Sequence, residues 1–459
     1  MQTVDSTNFK SERIDSYCDL FSLHKQFPER YPFLLESVAH GTGQAQFDIL
    51  FAFPGESLAL ESFEKLQRNN SHIQAPDFLT AFDQWWQSLK TPAQKSDLPF
   101  TGGWFVYLGY ELAQQIEPRL QLTRTETDLP IAMATRIPAA IIRSHEQQCL
   151  FIIAENSHAE LLGHMQKDIM LRTDSPASPK QIHATIQEED SDVYIKAVER
   201  ARRYIVDGDI FQANLSRLWE GTLEQGISPE SLYENLRTHN PAPFSGFISI
   251  NNASIISSSP ERLVSVHNNI IETRPIAGTR PRSFDAKADM ELQKELMSHP
   301  KEQAEHIMLI DLERNDLGRV CMPGTVNVNE LMVLESYTHV HHIVSNVQGV
   351  LKKDIRPGDV IRAVFPGGTI TGCPKVRCME IIQELEHAER GPYTGSMGYI
   401  NRDGSLDLNI LIRTIVYNRG KLGIRAGAGI VADSVPEKEL DETRAKAKGM
   451  LRALGVIDT

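Results

Sequence analysis

Apolar runs in this chain are separated by polar breaks marked with proline or glycine, and the spacing within each run predicts an element. Residues up to Glu12 are polar, which predicts a loose terminus. An apolar segment starts at Tyr31 (YPFLLES), and 47–54 (FDILFAFP) reads as a buried strand. Positions 77–89 have helical spacing, with Phe78, Phe82, Trp85, Trp86 and Leu89 near one face, as core residues would be. The aromatic, glycine-rich 100–110 (FTGGWFVYLGY) predicts a strand packed closely on a neighbour. Two more strands are predicted at 131–135 and 150–154, then a helix at 160–170. The polar stretch 172–190 holds two prolines and predicts a linker between an N-terminal region, 13–171, and a second region, 191–456. After it come a helix at 191–207, stopped by Gly208, and a strand at 209–217. Strands and helices mix throughout, which predicts an α+β or complex α/β architecture.

Several later segments carry candidate chemistry. A strand ends in Gly427-Ala428-Gly429, where missing Cβ atoms let a ligand approach the backbone. Asp433 or Ser434 offers a helix N-cap, Pro436 suits the first turn, and helix formers run to Leu454. Glu439, Glu442 and Lys446 then share one face. They could hold a metal and an anion, or form ordinary ion pairs in solvent. Glu302, Glu305 and His306 fall at i, i+3 and i+4 on a helix over 301–318, where a metal reading and a surface reading are both open. Pro260 presets the backbone before Glu261, which would hold that carboxylate on a rigid edge; a simple turn acid is the other reading of the same residues. Segment 272–282 (ETRPIAGTRPR) brings Thr279 and three arginines, suited to an anion or an acidic helix. A strand through 337–345 would put His339 and His341 on one face and His342 on the other. The turn 365–375 (FPGGTITGCPK) enters a helix, and free N–H groups there favour an anion. It lacks Walker spacing. Predicted strands at 391–399 and 406–414 carry Tyr393 and Arg413.

Composition narrows the function classes. A net charge of −13 argues against a nucleic-acid partner, since phosphate binding needs a basic surface. No apolar run reaches bilayer length, and none follows Met1 as a secretory signal would. The five cysteines are scattered without a CxxC pair, so neither a disulfide framework nor a zinc site is predicted. A reduced, cytoplasmic protein is expected.

Between residues 191 and 454 the blocks SSSPE, RPIAGTR, KEQAEH, HHIVS, GGTITGCPK, RGPYTGSMGY, IRT and GAGIVADSVPEKELDET occur in one order. Together they closely resemble the chorismate-utilising enzymes: anthranilate synthase large subunits, aminodeoxychorismate synthase component I, isochorismate synthases and salicylate synthases. The resemblance implies a two-lobed fold with large, mostly antiparallel sheets sandwiched by outer helices. It implies that Glu305 and Glu442 bind Mg²⁺, supported by Glu302 and Glu439, with the ring carboxylate of chorismate on the metal. Tyr393, Arg413 and the backbone of Gly427, Ala428 and Gly429 would hold the enolpyruvyl carboxylate, with Lys446 nearby. Thr279 and Thr369 would line the ring, His342 would flank it, and Glu261 would be the general acid for the C4 hydroxyl.

Isochorismate and salicylate synthases carry a lysine base where this chain has Gln212. Ammonia needs no such base, so the resemblance implies an ammonia-using branch. The segments FTGGWFVYLGYELA, NPAPFSGF and GGTITGCPKVRCMEII resemble the aminodeoxychorismate branch, which aminates C4 for para-aminobenzoate and folate synthesis. Ala277, in PIAGT, departs from the lysine common in that branch and matches anthranilate synthases, which aminate C2 and eliminate pyruvate. No glutaminase elbow is present, which implies a separate glutamine amidotransferase subunit that delivers ammonia in a heterodimer. YPFLLES resembles the tryptophan-pocket region of anthranilate synthases. It implies a pocket at Ser37 and Pro241 for tryptophan, as a structural ligand or a feedback inhibitor. A non-catalytic chorismate or tryptophan sensor is the alternative of another class. A pure binder, however, has no use for a placed acid at Glu261.

Overall fold

Alternating apolar positions pair into two sheets, each with one face on the other sheet and one face on helices. A computed structural model describes residues 8–38, 46–93, 96–125, 127–173, 182–283, 285–336 and 340–456. Among these, both sheets are twelve-stranded and every strand pairing is antiparallel. The first runs from the edge strand Phe9–Ile14 through Phe33–Glu36 and Phe244–Ile250 to Lys421–Ile430, Gln212–Leu223 and Ala184–Glu188. The second runs from Ile276–Pro281 through Val340–Val350, Arg262–His267 and Ser396–Asn401 to Gly103–Leu108 and Ser71–His72. Each sheet therefore joins a block of strands from before 172–190 to a block from after it, Phe33–Glu36 pairing with Phe244–Ile250 in the first and Gly103–Leu108 with Ser396–Asn401 in the second.

Phe33, Phe51, Ile142 and Ile255 of the first sheet meet Phe105, Tyr107 and Met397 of the second in one buried cluster. Phe33 and Phe105 stack across it at 4.3 Å. Helices close the outer faces. Pro436–Ala453, Pro229–His239 and Leu161–Leu171 cover the first sheet. Phe78–Leu89, Pro300–Val320 and Pro357–Val364 cover the second. The helix Phe78–Leu89 buries the predicted aromatic face, capped by Asp77 on the Thr80 N–H at 2.8 Å.

Local expectations fail where pairing overrides composition. Residues 9–14 are polar yet form a strand, because Cys149–Glu155 offers a full register of partners. The predicted linker contains the strand Ala184–Glu188, paired along Gln212–Leu223. Neither Asp433 nor Ser434 caps the last helix. Val435 stands at that position without a side-chain cap, and Ser434 Oγ instead accepts from Val431 N at 3.1 Å. The run 406–414 is two strands, Leu406–Asn409 and Thr414–Asn418, broken where Arg413 adopts φ 53°. His339 lies outside the described residues.

Candidate active site

The site is built around the bare strip on Lys421–Ile430. Gly427 and Gly429 project to the same sheet face, two residues apart. A Cβ on Gly427 would lie 2.7 Å from Tyr393 Oη and 2.6 Å from the Leu215 carbonyl. A Cβ on Gly429 would collide with Gln212 Nε2 and come 3.5 Å from Glu305 Oε1. Tyr393, Gln212 and Glu305 thus converge on one strip. Gln212 Nε2 donates to Glu305 Oε1 at 3.0 Å, which ties Gln212–Leu223 to the helix Pro300–Val320. At the other end, Lys446 Nζ donates to the Gly427 carbonyl at 3.0 Å and pairs with Glu442 at 2.8 Å.

Glu261 follows the strand Ala253–Ser259 and is buried. Burial raises its carboxyl to about 7, against the opposing pull of the Thr369 hydroxyl, the Ile276 N–H and the Lys446 ammonium. The buried Thr369 hydroxyl, which bears on Glu261, has no fixed hydrogen-bond partner among the described residues. Near neutral pH Glu261 therefore retains much of its proton, as a general acid must. Lys446 reaches it electrostatically, which joins it to the glycine strip.

His342 Nδ1 shares a 2.9 Å hydrogen bond with Thr279 Oγ1, set by the register of their two strands. A bulge with Gly278 at φ 65° turns Thr279 out of simple alternation. Burial, helped by Arg413, lowers His342 to about 4, so its imidazole is neutral. Burial also lowers Arg413, while Tyr393 and Glu442 favour its charge. Burial raises the Tyr393 phenol to about 12. A neutral acid, a neutral imidazole, a guanidinium and a phenol thus face one region.

The predicted acidic cage is gathered only in part. Glu302 pairs with Arg280 at 3.2 Å, and Glu442 with Lys446. Among the described residues no group of three or more His, Cys, Asp or Glu is placed to hold a metal ion. Glu305 borders the strip at Gly429, and Glu442 approaches it through Lys446 at Gly427; both are oxygen donors of the kind Mg²⁺ takes singly or in pairs. His306 is buried on Ser345 Oγ at 2.6 Å, and burial lowers it to about 4. His341 pairs with Asp289 at 2.9 Å. The helix start after the glycine-rich turn is occupied by Lys375, which pairs with Asp316.

Asn214 was not singled out from the sequence. Its buried Oδ1 has no hydrogen-bond partner among the described residues and would lie 2.9 Å from a Cβ on Gly427. Two-residue periodicity from Gln212 is the signal that points to it.

Apart from this site, Ser37 lines a cavity of about 260 Å³ with Glu36, Pro243, Phe244, Arg262 and Tyr399. Pro241 is not in its lining. Ser37 Oγ donates to the Pro243 carbonyl at 2.9 Å. Among the described residues no helix is long and apolar enough to cross a membrane.

The chain is similar to known proteins over most of its length. It is 45% identical over 358 residues to the anthranilate synthase component I-like protein of Synechocystis sp., covering 78% of this chain and 73% of that one. It is 41% identical over 388 residues to aminodeoxychorismate synthase component 1 of Bacillus subtilis, covering 82% of each. The crystal structure of anthranilate synthase component I from Streptococcus pneumoniae superposes with a TM-score of 0.79 at 31% identity, covering 89% of this chain and 93% of that one. Residues 36–452 match the family described as chorismate binding enzyme, and the chain is a member of that family of chorismate-utilising enzymes.

Proposed function

We propose that this protein is the large component of an aminodeoxychorismate synthase, aminating chorismate at C4 with ammonia from a glutaminase subunit, for para-aminobenzoate and folate synthesis. The observation that carries amination is an acid, Glu261, that keeps much of its proton near neutral pH, in the same site as Gln212, a side chain that cannot act as a base; the segments FTGGWFVYLGYELA and NPAPFSGF favour C4. Ammonia brings its own lone pair. A new C4–N bond forms and the C4–O bond breaks. Glu261 gives its proton to the departing hydroxyl, which leaves as water, and the new ammonium releases a proton.

Arg413, Tyr393 and the glycine strip would hold the enolpyruvyl carboxylate, while Thr279, Thr369 and His342 line the ring. Glu305 and Glu442 would hold Mg²⁺, supported by Glu302 and Glu439. When bound, that ion would neutralise and orient the ring carboxylate. Ala277 presents no nucleophile, so ammonia displaces the hydroxyl directly or after addition of another group. The cavity beside Ser37 is the candidate tryptophan pocket, with Pro243 rather than Pro241 on its wall. The second reading, anthranilate synthase, is favoured by Ala277 and by the anthranilate synthase names among the relatives.

The test is product analysis by mass after incubation with chorismate and ammonium salt, with and without Mg²⁺. Aminodeoxychorismate formed only with Mg²⁺, and no pyruvate, is expected. Pyruvate released without an added lyase overturns the C4 assignment.

A further inference from the structure

A second acid lies against the glycine-rich turn. Glu313 projects from the helix Pro300–Val320 and is 6% exposed. A Cβ on Gly368 would lie 3.3 Å from its Oε1, so the carboxyl packs on the turn that carries Thr369. The Thr369 hydroxyl bears on Glu261, and the Thr273 hydroxyl, at the end of the strand Ile270–Thr273, bears on Glu313. Glu261 and Glu313 also act on each other electrostatically.

Among the described residues no cation pairs with either carboxyl. The nearest ammonium to Glu313 is engaged elsewhere: Lys375 pairs with Asp316 and donates to the Val364 carbonyl at 3.1 Å. Asp316, Lys375 and Glu261 are the charged groups that bear on Glu313. Burial and then the Asp316 carboxylate raise it well above the ordinary carboxyl value, against the pull of Lys375 and the Thr273 hydroxyl. Glu313 therefore keeps a proton where a solvated glutamate has lost it. The buried hydroxyls of Thr273 and Thr369 both lack a fixed partner among the described residues. Such groups are rare in folded proteins and call for a reason. A hydroxyl can accept a proton on a lone pair while giving up its own, so it passes a proton on without staying ionised. Each turnover moves one proton from Glu261 to the leaving hydroxyl, and Glu261 must regain one before it acts again. It is only 6% exposed, so water has little direct access to it. Lys375 is half-buried at the start of the helix Lys375–Glu386, which brings the far end of the cluster toward solvent.

We propose that Glu313 is the proton reserve for Glu261, acting through the hydroxyls of Thr369 and Thr273 without touching substrate. Once Glu261 has protonated the departing hydroxyl, its carboxylate takes a proton from Glu313 along the two hydroxyls. Glu313 then regains one from solvent past the Asp316–Lys375 pair. The inference rests on Glu261 as the acid of the amination reading above. The test is rapid-quench product formation from chorismate, ammonium chloride and Mg²⁺. Glu313→Gln keeps the shape and removes the acid. Its first turnover should match wild type and its steady-state rate should fall about tenfold, with chorismate affinity and melting temperature unchanged. Thr273→Val removes a hydroxyl with no fixed partner, so the fold should hold; the same split is expected, with a steady-state loss of about threefold. Wild-type protein that makes no aminated product overturns the amination reading and the reserve together. With wild type active, the reserve alone is overturned if folded Glu313→Gln stays within about twofold of the wild-type steady rate, or if its first turnover slows as much as later ones. If Glu313→Gln does not fold, Thr273→Val decides by the same outcomes.

Discussion

Two buried carboxyls, Glu261 in the candidate active site and Glu36 beside the Ser37 cavity, are each raised to about 7, yet their surroundings differ in kind. Around Glu261 stand a hydroxyl, a backbone N–H and one more distant ammonium. Burial dominates there, and among the described residues no cation pairs with it directly. Glu36 lies in a dense ionic network. Arg237 pairs with it at 3.0 Å, Arg143 lies at 3.8 Å, and Tyr233 donates to it at 2.6 Å. Its carboxyl is raised because burial and the neighbouring Asp48 and Asp19 outweigh the arginines. A raised carboxyl is therefore not itself the mark of a catalytic acid. What distinguishes Glu261 is a proton held without a fixed cation, next to open polar groups. Glu36 instead cross-links Phe33–Glu36 to the helix Pro229–His239.

The largest expected effect is on turnover. Glu261→Gln should lower kcat by about 10²–10⁴-fold with chorismate affinity retained, checked by steady-state rates and equilibrium titration. A sensor would show no such split. Arg237→Ala should mainly destabilise the fold, by about 3–5 kcal/mol, because Glu36 would be left buried without its closest cation; denaturant unfolding measures it. If Arg237→Ala abolished turnover in folded protein, the contrast between the two regions would collapse.

A third effect is on pH dependence. The Glu261 value of about 7 lies above its ordinary 4.5, so between the two the native state binds more protons than the unfolded state. Its contribution to stability therefore declines as pH rises across that window and is constant above it. The rate, expressed per neutral ammonia, should fall as pH rises through about 7, because the donor form is lost. Glu261→Gln should remove both slopes, and rates and melting temperatures across pH test this. The smallest effect concerns the strip. Gly427→Ala would press on the Leu215 backbone carbonyl and on Tyr393, whereas Gly429→Ala meets chiefly the movable Gln212 amide. The first should cost several-fold more in kcat/KM than the second.

Much of this was legible from residue order. The aromatic face of Phe78–Leu89, the strand end at Gly427–Gly429 and the helix from Pro436 are local features, and the resemblance aligned Glu261, Gln212 and Lys446 with one site. Polarity misled at 9–14 and 184–188, because a strand partner supplied from elsewhere in the chain outweighs weak local propensity. Asn214 was missed because two-residue periodicity from Gln212 marks only the face it shares with other residues of that strand, and its unpaired oxygen shows only in the packed site.

By itself, the sequence determined the family, through its ordered motifs, and the residue types available for acid, anion and metal chemistry; periodicity gave a mixture of strands and helices, and the antiparallel sheets were what the family resemblance implied. Only the tertiary structure decided which of the two raised carboxyls stands without a paired cation and which is tied to one. It also decided that Gln212 lies over the glycine strip. Burial and distance to a charge belong to packing between segments hundreds of residues apart, and local sequence does not encode them.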